Sequence, residues 1–308
     1  MKQKEPAKFT TMRNLFVPYF SLDLAKSILQ SQDKQTKEPK LIVIDGLIGA
    51  AKSTFIRLFI DHLCSLGKKV VIIEEPVDLW IKSGIFQAFN QDRKRWGYTF
   101  QTTAFHSRIM TSIKAYHEHA HDTDYFITER CVFSDSIFMK MLLEDKRNAG
   151  KKILEEVGDM NEHILNSSDP EYRENLYGDE LRQKEKLGLQ LIEEANMEEV
   201  EYHNWFNLWY MLMPAVPNIF IWLQCDVDIC MDRIKKRDRI GEKSITKEYL
   251  TRLLEGYTSI MGSNKVIVDN IEIPCCRLST NEEFEDVPNK QQEMFAEVHK
   301  MLDLMVKL

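Results

Sequence analysis

A glycine-containing run after a short apolar segment is the part of this sequence most specific for chemistry. The run reads Gly46-Leu47-Ile48-Gly49-Ala50-Ala51-Lys52-Ser53-Thr54, and a helical pattern follows it. Backbone N–H groups of a tight loop and of a helix N-terminus point to one place, where the helix dipole also favours negative charge. Lys52 can then reach the β- and γ-phosphates of a nucleotide, and the Ser53 hydroxyl can ligate Mg²⁺. The pattern predicts a loop that binds the phosphates of ATP, or of another nucleoside triphosphate, together with Mg²⁺.

One position of this loop departs from the usual pattern Gly-x-x-x-x-Gly-Lys-Ser/Thr. Ala51 stands where the second glycine belongs. Glycine allows backbone torsions and a close ligand approach that a Cβ atom obstructs, and Gly49 is placed to relieve part of that strain. We therefore predict the loop and leave its affinity for ATP open. The residues expected at the phosphates are Gly46, Gly49, Ala50, Ala51, Lys52, Ser53 and Thr54.

Charged residues follow two further apolar runs. Glu75 comes after the run 70–73, and the pair Glu129 and Arg130 comes after the run 125–128. Ligands of doubly wound sheets bind at the carboxyl ends of the strands. A carboxylate there, such as Glu75, can accept the proton of a hydroxyl that attacks a γ-phosphate. The adjacent acid and arginine at the other strand end favour a second functional group over a mere surface pair.

Three arginines follow the fourth apolar run, with the spacing Arg-x3-Arg-x-Arg. They are Arg233, Arg237 and Arg239, and Glu242 comes three residues later. Phosphoryl transfer spreads negative charge over the equatorial oxygens, and arginines that close over these oxygens stabilise the charge. Taken alone, such a stretch is typical of a solvated helix end. Its place after a strand of a phosphate-binding protein favours a mobile lid.

Apolar runs and helical patterns alternate along the chain, and these elements must position the charged groups. Each run is short, rich in β-branched residues and bounded by glycine or polar residues, as buried parallel strands are. The alternation predicts an α/β fold, a doubly wound five-stranded parallel sheet with helices on both faces and a helical lid. The expected strands are 40–46, 70–73, 125–128, 218–224 and 271–278, the last interrupted by Pro274. The expected helices lie near 52–66, 98–120, 134–145, 201–213 and 246–260.

We expect one domain over residues 40–308, preceded by a tail and a polar linker over residues 1–39. Within this domain the segment at about 144–200 is strongly acidic, with 17 acidic against 8 basic residues between Glu144 and Glu201. Such a segment is typical of a solvated helical excursion. An insert that docks a protein partner is the alternative.

The overall composition argues against several classes of protein. A formal net charge of −7 over 308 residues does not suit general nucleic-acid binding, which needs a basic face. No apolar run approaches the roughly 20 residues of a membrane helix. Six cysteines without a Cys-x-x-Cys pair are typical of reduced thiols in an intracellular protein. We expect a cytoplasmic protein. Residues 1–20 carry more basic than acidic residues, so a mitochondrial presequence is the alternative.

Three longer motifs carry a resemblance to a known family. They are Glu75-Pro76-Val77-Asp78-Leu79-Trp80, Phe100-Gln101-Thr102-Thr103-Ala104-Phe105-His106-Ser107-Arg108 and Glu129-Arg130-Cys131. With the phosphate-binding loop before them, they make the stretch from about Leu41 to Phe284 resemble the deoxyribonucleoside kinases. Within these, the deoxycytidine and deoxyguanosine kinase branch is the most similar. The resemblance implies a P-loop kinase fold and Mg²⁺-dependent transfer of the γ-phosphate of ATP to the 5′-hydroxyl of a deoxynucleoside, in nucleotide salvage.

The resemblance also implies the roles of the groups at the reacting phosphate. Glu75 would be the general base, Arg130 would act at the 5′-oxygen and the phosphates, and Glu129 would lie near Mg²⁺ with Ser53. The lid would contribute Arg237 and Arg239. At the donor nucleotide the matching residues are Arg233, Glu283 and Phe284.

For the nucleoside, the resemblance implies that Gln101 hydrogen-bonds the base and that Arg108 pairs with Asp135. This arginine–aspartate combination resembles that of enzymes that accept deoxycytidine or deoxypurines in preference to thymidine. A side-chain amide and such an ion pair both offer donors and acceptors to a base edge. The other residues expected at the nucleoside are Trp80, Ala104 and Phe138, with Glu242 at the sugar 3′-hydroxyl.

Two further positions depart from the family pattern besides Ala51. Asn90 falls where a tyrosine that binds the sugar is expected, and Met139 falls where a phenylalanine that stacks on the base is expected. Phe138, next to Met139, is a candidate substitute. The family usually dimerises through helices, so a homodimer is expected. The aromatic residues at helical spacing, which suit a core or a subunit interface, are Trp205, Phe206, Trp209 and Tyr210.

Two other functions stay open at this point. A nucleoside-monophosphate kinase of the thymidylate kinase kind would have the same fold, but Glu75 would lie badly beside the phosphate of its acceptor. A catalytically silent subunit with a kinase fold would suit Ala51 and the acidic segment. It would not need to keep a base, Arg130 and the lid arginines together.

Overall fold

Within the part of the chain that the structure describes, the central sheet has six strands, five of them parallel. The computed structural model describes residues 39–165, 179–210, 212–239, 242–268 and 271–306. The order across the sheet is β2-β3-β1-β4-β6-β5, and β5 runs antiparallel to β6. The α/β class and the parallel sheet are confirmed, while β5 is an additional edge strand that the sequence did not predict. The strands are β1 (Lys40–Gly46), β2 (Val70–Ile73), β3 (Tyr125–Glu129), β4 (Ile219–Gln224), β5 (Lys265–Val268) and β6 (Ile271–Ser279).

The apolar run of β1 belongs to the centre of the sheet. Ile42, Val43 and Ile44 are completely buried, because both faces of this strand are covered. β1 pairs with β3 on one side and with β4 on the other. After β1 the chain first forms β2 and β3 on one side of it and then β4 on the other side. The carboxyl end of β1 is therefore the topological switch point at which open α/β sheets bind ligands.

β6 is continuous through Pro274, so the predicted interruption there is wrong. Cys275 is the first residue of β6 that pairs with β4, and Pro274 lies just before it. On its other side, Pro274 is opposite Lys265 of the edge strand β5. Proline without an N–H group is tolerated here because the ladder to β4 does not need a donor from it.

Helices connect the strands and cover them. Two of them, α5 and α6, have 34 and 32 residues and are much longer than predicted. None of the described helices is both long and apolar enough to cross a membrane. The helices are α1 (Lys52–Ser65), α2 (Val77–Lys82), α3 (Ile85–Gln91), α4 (Arg93–His119), α5 (Val132–Leu165), α6 (Asp179–Tyr210), α7 (Val227–Arg237), α8 (Lys247–Met261) and α9 (Pro288–Val306).

The acidic segment predicted at 144–200 forms large parts of α5 and α6, which pack against each other. Gly150 and Gly188 allow a close approach, since a Cβ atom on Gly150 would lie 2.5 Å from the carbonyl oxygen of Gly188. Lys146 pairs with Glu198 across the two helices at 2.9 Å, so part of the acidic charge is neutralised locally. Residues 166–178, like the predicted tail at 1–38, lie outside the described residues.

Candidate active site

The loop after β1 is built on two glycines that no other residue could replace without movement. A Cβ atom on Gly46 would lie 2.5 Å from the carbonyl oxygen of Leu223, and one on Gly49 would lie 2.6 Å from that of Cys230. Gly49 also has a φ of +89°, in the left-handed region. The loop therefore packs its backbone directly against β4 and α7. The N–H groups of Gly46 and Ala50 donate to Asp45 Oδ1 and to the Leu47 carbonyl oxygen, and other N–H groups of the loop can form a phosphate cradle.

Lys52 lies at the start of α1 and is buried against the loop. Its Nζ atom donates hydrogen bonds to the carbonyl oxygens of Gly46 at 3.2 Å and Leu47 at 2.8 Å. Burial, and then the charge of Arg130, lower the pKa of Lys52 to about 8. The ammonium group is thus held at the loop, where a bound phosphate would supply the negative charge that stabilises it.

Ala51 occupies a conformation that favours glycine. Its backbone has φ 60° and ψ 31°, the left-handed region, and its carbonyl accepts a hydrogen bond from the N–H of Phe55 at 3.0 Å. For a residue with a Cβ atom, this region costs roughly 1–2 kcal/mol. The departure from the phosphate-loop pattern therefore leaves the shape of the loop intact at the expense of local strain.

Ser53 and Glu129 offer oxygen ligands side by side. The Ser53 hydroxyl donates to Glu129 Oε2 at 3.1 Å, and Lys52 Nζ lies 3.6 Å from Oε1 of the same carboxylate. Burial opposes ionisation of Glu129, but Lys52 and Arg130 outweigh it and lower the pKa of this carboxyl. A hydroxyl and an ionised carboxylate beside a phosphate cradle fit Mg²⁺, which prefers oxygen ligands and is often held by one or two protein groups and phosphates.

Glu75, Arg108 and Arg130 converge at the carboxyl ends of β2 and β3. Glu75 Oε1 forms an ion pair with Arg108 and lies 3.8 Å from Arg130 NH1. Arg130 NH1 is also 3.8 Å from Glu129 Oε1. The residues predicted as base, as magnesium ligand and as phosphate-stabilising arginine thus form one charged cluster.

Arg108 and Asp135 form the ion pair that the resemblance implies, with Nε and Oδ2 separated by 3.2 Å. The alignment of these two buried atoms is not that of a hydrogen bond, and neither has another hydrogen-bond partner within the described parts of the chain. Burial raises the pKa of Asp135 to about 6, against the opposing effect of Arg108. These two atoms are thus held together by charge and not by a hydrogen bond.

Of the remaining predicted nucleoside residues, Trp80 contacts this pair and two others lie on the same helix as Arg108. Trp80 is buried, donates its Nε1–H to Ser107 at 2.9 Å, and its ring lies 5.5 Å from the guanidinium carbon of Arg108. Ala104 and Gln101 lie one and two turns before Arg108 on α4, and Gln101 is half-buried.

Phe138, rather than Met139, is directed to the site. The guanidinium carbon of Arg130 lies 5.2 Å from the centre of the Phe138 ring. Met139 is 1% exposed and packs with Leu143 and Tyr202, away from that arginine. Asn90 lies on α3 and is half-buried.

The predicted lid residues are partly paired with each other. Arg237, the last residue of α7, contacts both carboxylate oxygens of Glu242, at 3.1 and 2.6 Å. Glu242, predicted at the sugar, therefore binds one of the predicted lid arginines in this structure. Arg239 is exposed, and in the described ranges its side chain forms no ion pair. Arg233 donates to Cys225 Sγ at 3.4 Å.

The predicted donor-nucleotide residues line one cleft of about 220 Å³ beside the phosphate loop. Its walls combine the loop, the end of α7 and the segment before α9. Guanidinium groups there complement the charge of a nucleotide's phosphates. The residues lining it are Gly49, Ala51, Thr54, Arg233, Arg237, Glu283, Phe284 and Glu285.

Sequence reasoning missed two buried polar residues, Asp45 and Tyr257. The Tyr257 hydroxyl donates to Asp45 Oδ1 at 2.6 Å and accepts from Arg130 Nε at 3.4 Å. A charged residue at the end of an otherwise apolar strand is a signal that could have indicated Asp45. Tyr257 gives no comparable signal, because its spacing on α8 is that of an ordinary core residue.

Comparisons of the sequence with known proteins agree on one family. A family model described as deoxynucleoside kinase matches residues 42–170 and 189–303. A probable deoxycytidine kinase of fowlpox virus is 25% identical over 263 residues, which cover 85% of this chain and 88% of the relative. Deoxycytidine kinase 2 of Gallus gallus is 27% identical over 292 residues, covering 86% and 91%. A mitochondrial deoxyguanosine kinase of Xenopus laevis is 25% identical over 269 residues, covering 80% and 83%.

Proposed function

This chain belongs to the deoxynucleoside kinase family, and on that premise we propose that it phosphorylates a deoxynucleoside at its 5′-hydroxyl. The donor would be ATP, or another nucleoside triphosphate, with Mg²⁺, and the reaction would serve nucleotide salvage. One observation carries the proposal. Glu75 lies between Arg108 and Arg130 at the same edge of the sheet as the phosphate loop.

In this proposal Glu75 accepts the proton of the 5′-hydroxyl as the hydroxyl oxygen approaches the γ-phosphorus. Arg108 fixes the carboxylate through their ion pair. Arg130, within 3.8 Å of the same Glu75 oxygen, lies where it can contact the transferring phosphoryl group. Arginine stabilises the negative charge that develops there.

On the donor side, the loop amides and Lys52 would bind the β- and γ-phosphates. Mg²⁺, held by Ser53 and Glu129 together with phosphate oxygens, would neutralise charge on the same phosphates. Arg233 and Arg237 already line the cleft beside the loop. We propose that Arg237 exchanges Glu242 for phosphate when the lid closes, which would release Glu242 for the sugar, and that Arg239 joins the lid.

For the nucleoside we propose deoxycytidine or a deoxypurine in preference to thymidine. Arg108 and Asp135 support this, because an arginine–carboxylate pair offers both donors and acceptors to a polar base edge. Gln101 would bind the base from the next turns of α4. Trp80, Ala104 and Phe138 would enclose it, with Phe138 in the stacking role that Met139 cannot fill.

The two alternative functions fit the site less well. The acceptor of a monophosphate kinase would bring its phosphate against Glu75 and Glu129, which line one cleft of about 370 Å³ with Ser53. Like charges at such distances repel each other. A silent subunit would have no need of the cluster that Glu75 forms with the two arginines.

The test is phosphate transfer from Mg·ATP to each of the four deoxynucleosides by the purified full chain. We expect transfer to deoxycytidine or a deoxypurine, and a loss of roughly 10²–10⁴ in kcat for Glu75→Gln. Glu74→Gln is the matched control, because Glu74 is exposed and precedes the base in the sequence. Its kcat should stay within about twofold of the wild type.

A folded wild-type protein that phosphorylates no deoxynucleoside would refute the proposal. Transfer to deoxynucleoside monophosphates would then support the monophosphate kinase, and no transfer at all would support the silent subunit. A loss in Glu74→Gln as large as in Glu75→Gln would show that general charge, and not one base, matters.

We further propose a homodimer that forms through α6. Apolar side chains are exposed along this helix, including Trp205 at 38% and Leu208 at 45%. Exposed apolar area of this kind is typical of subunit interfaces. A protein partner for the acidic segment and a cytoplasmic location both stay predictions, and the targeting question falls on residues outside the described part of the chain.

A further inference from the structure

A tyrosine on α8 joins two strands of the sheet. Tyr257 is completely buried, and its hydroxyl bridges Asp45 near the end of β1 and Arg130 just after β3. Asp45 is completely buried as well, and its Oδ1 also accepts the N–H of Gly46 at 2.8 Å. Three segments that are distant in sequence therefore meet at one hydroxyl group.

Packing alone does not account for this arrangement. Burying a carboxylate is costly unless it is paired, and Asp45 Oδ2 has no hydrogen-bond partner in the described part of the chain. A phenylalanine at position 257 would fill the same space without a polar group. Burial, and then Asp45, raise the pKa of Tyr257 well above its ordinary value, so the hydroxyl is a neutral donor.

The bridge acts on one edge of the Arg130 guanidinium group. Nε lies 3.4 Å from the Tyr257 hydroxyl and 3.7 Å from Asp45 Oδ1. The terminal NH1 nitrogen lies 3.8 Å from Glu75 and 3.8 Å from Glu129. The Nε edge is thus anchored, while a terminal nitrogen faces the carboxylates at which the reaction is proposed.

The backbone of Arg130 needs such support. Its φ of 63° lies in the left-handed region, which is uncommon for a residue with a long side chain. Its N–H donates to the carbonyl oxygen of Ile44 at 2.9 Å, so the same strand, β1, holds both its backbone and its Nε edge.

The position of α8 is itself fixed next to Tyr257. A Cβ atom on Gly256 would lie 2.5 Å from Ile137 Cγ2, so glycine allows α8 to approach α5 closely. This close approach places the tyrosine ring within reach of β1.

We propose that Tyr257, with Asp45, is a positioning residue that holds the guanidinium group of Arg130 against the transferring phosphoryl group. The inference rests on the proposed function, because it assigns Arg130 to the phosphoryl group. Tyr257 is completely buried, so in this proposal it acts through Arg130 and not directly on a substrate.

The first test compares Tyr257→Phe with Tyr116→Phe. Tyr116 is a buried tyrosine on α4 that stacks on Phe126, and its hydroxyl has no hydrogen-bond partner among the described residues. Tyr257→Phe should lower kcat roughly ten- to 150-fold, as expected for the loss of a hydrogen bond to a charged group. The KM values for ATP and for the deoxynucleoside should stay within about twofold. Tyr116→Phe should leave kcat unchanged.

A double-mutant cycle separates positioning from general stability. If Tyr257 acts through Arg130, then Tyr257→Phe should cost less than about twofold in the Arg130→Gln background. Additive losses in the double mutant, or an increase in KM without a change in kcat, would overturn the inference.

A crystal structure of Tyr257→Phe gives a readout that does not depend on activity. The Arg130 guanidinium group should leave its position beside Asp45, and an unmoved guanidinium group would overturn the inference. If the wild-type protein phosphorylates no deoxynucleoside, the proposed function fails. The position of Arg130 then still decides whether Tyr257 and Asp45 hold it.

Discussion

Replacing Ala51 by glycine tests whether the phosphate loop is strained. Ala51 has φ 60°, and its neighbour Ala50 is completely buried without a left-handed backbone. The left-handed region costs a residue with a Cβ atom roughly 1–2 kcal/mol. Ala51→Gly removes that cost, but the greater conformational freedom of glycine in the unfolded chain lowers the free energy of unfolding by about 0.5–1 kcal/mol.

The matched variant is Ala50→Gly, which removes the same atoms without relieving strain. It should lose about 0.5–1 kcal/mol to chain entropy and about 0.8 kcal/mol of methyl burial. The half-buried methyl group of Ala51 contributes about half as much, or about 0.4 kcal/mol. We expect the free energy of unfolding of Ala51→Gly to be within about 1 kcal/mol of the wild-type value. It should exceed the free energy of unfolding of Ala50→Gly by about 2 kcal/mol.

Urea denaturation of the three proteins, followed by circular dichroism, measures this difference, and the m-values should agree. The KM for ATP should also fall in Ala51→Gly, because the Cβ atom no longer stands beside the phosphates. Equal destabilisation by the two substitutions would show that position 51 carries no strain, and the reasoning about the loop would be refuted.

Three further predictions concern the loop lysine, the helix pair and the assembly. The Kd for ATP should rise between pH 7 and pH 9 in calorimetry, because Lys52, with its pKa lowered to about 8, loses the charge that binds phosphate; Lys52→Arg should show no such rise. Gly150→Ala should destabilise the protein by about 1–3 kcal/mol through overpacking against the neighbouring helix. Gly158 has open space around it, so Gly158→Ala should stabilise the protein by up to about 1 kcal/mol. Equal melting temperatures for the two variants would contradict this prediction. Sedimentation at micromolar concentration should show a dimer that Leu208→Glu converts to a monomer, whereas Leu66→Glu, just after α1, should leave it a dimer. A monomeric wild type would contradict the proposed interface.

The strands that carry the site could be predicted almost to the residue. An unbroken apolar run such as that of β1 has few alternatives, since burial on both faces demands it. β5 was missed because four residues of an edge strand, one face of them exposed, give little periodicity. The lengths of α5 and α6 were missed for a related reason. These helices bury narrow stripes, and their glycine contacts at 150 and 188 cannot be seen in a sequence.

The candidate site also contains residues that could be predicted from the sequence and contacts that could not. Residues adjacent to strand ends, such as Glu75 and Arg130, could be predicted because the edge of a parallel sheet gathers them. The contact of Tyr257 with Asp45 joins residues 212 positions apart and follows from tertiary packing alone. The pairing of Arg237 with Glu242 was likewise unforeseen, because only tertiary structure brings these two charges together.

The order of the strands has a geometric consequence for the proposed reaction. β2, β3 and β1 are consecutive in the sheet, and neighbouring strands are about 4.8 Å apart. Their carboxyl ends carry in turn the proposed base, the arginine and magnesium ligand, and the phosphate loop. Acceptor oxygen, γ-phosphorus and leaving oxygen must also follow one another along a line in phosphoryl transfer. In the proposed reaction, the order of the three strand ends thus follows the order of the reacting groups, and backbone hydrogen bonds between the strands fix that order.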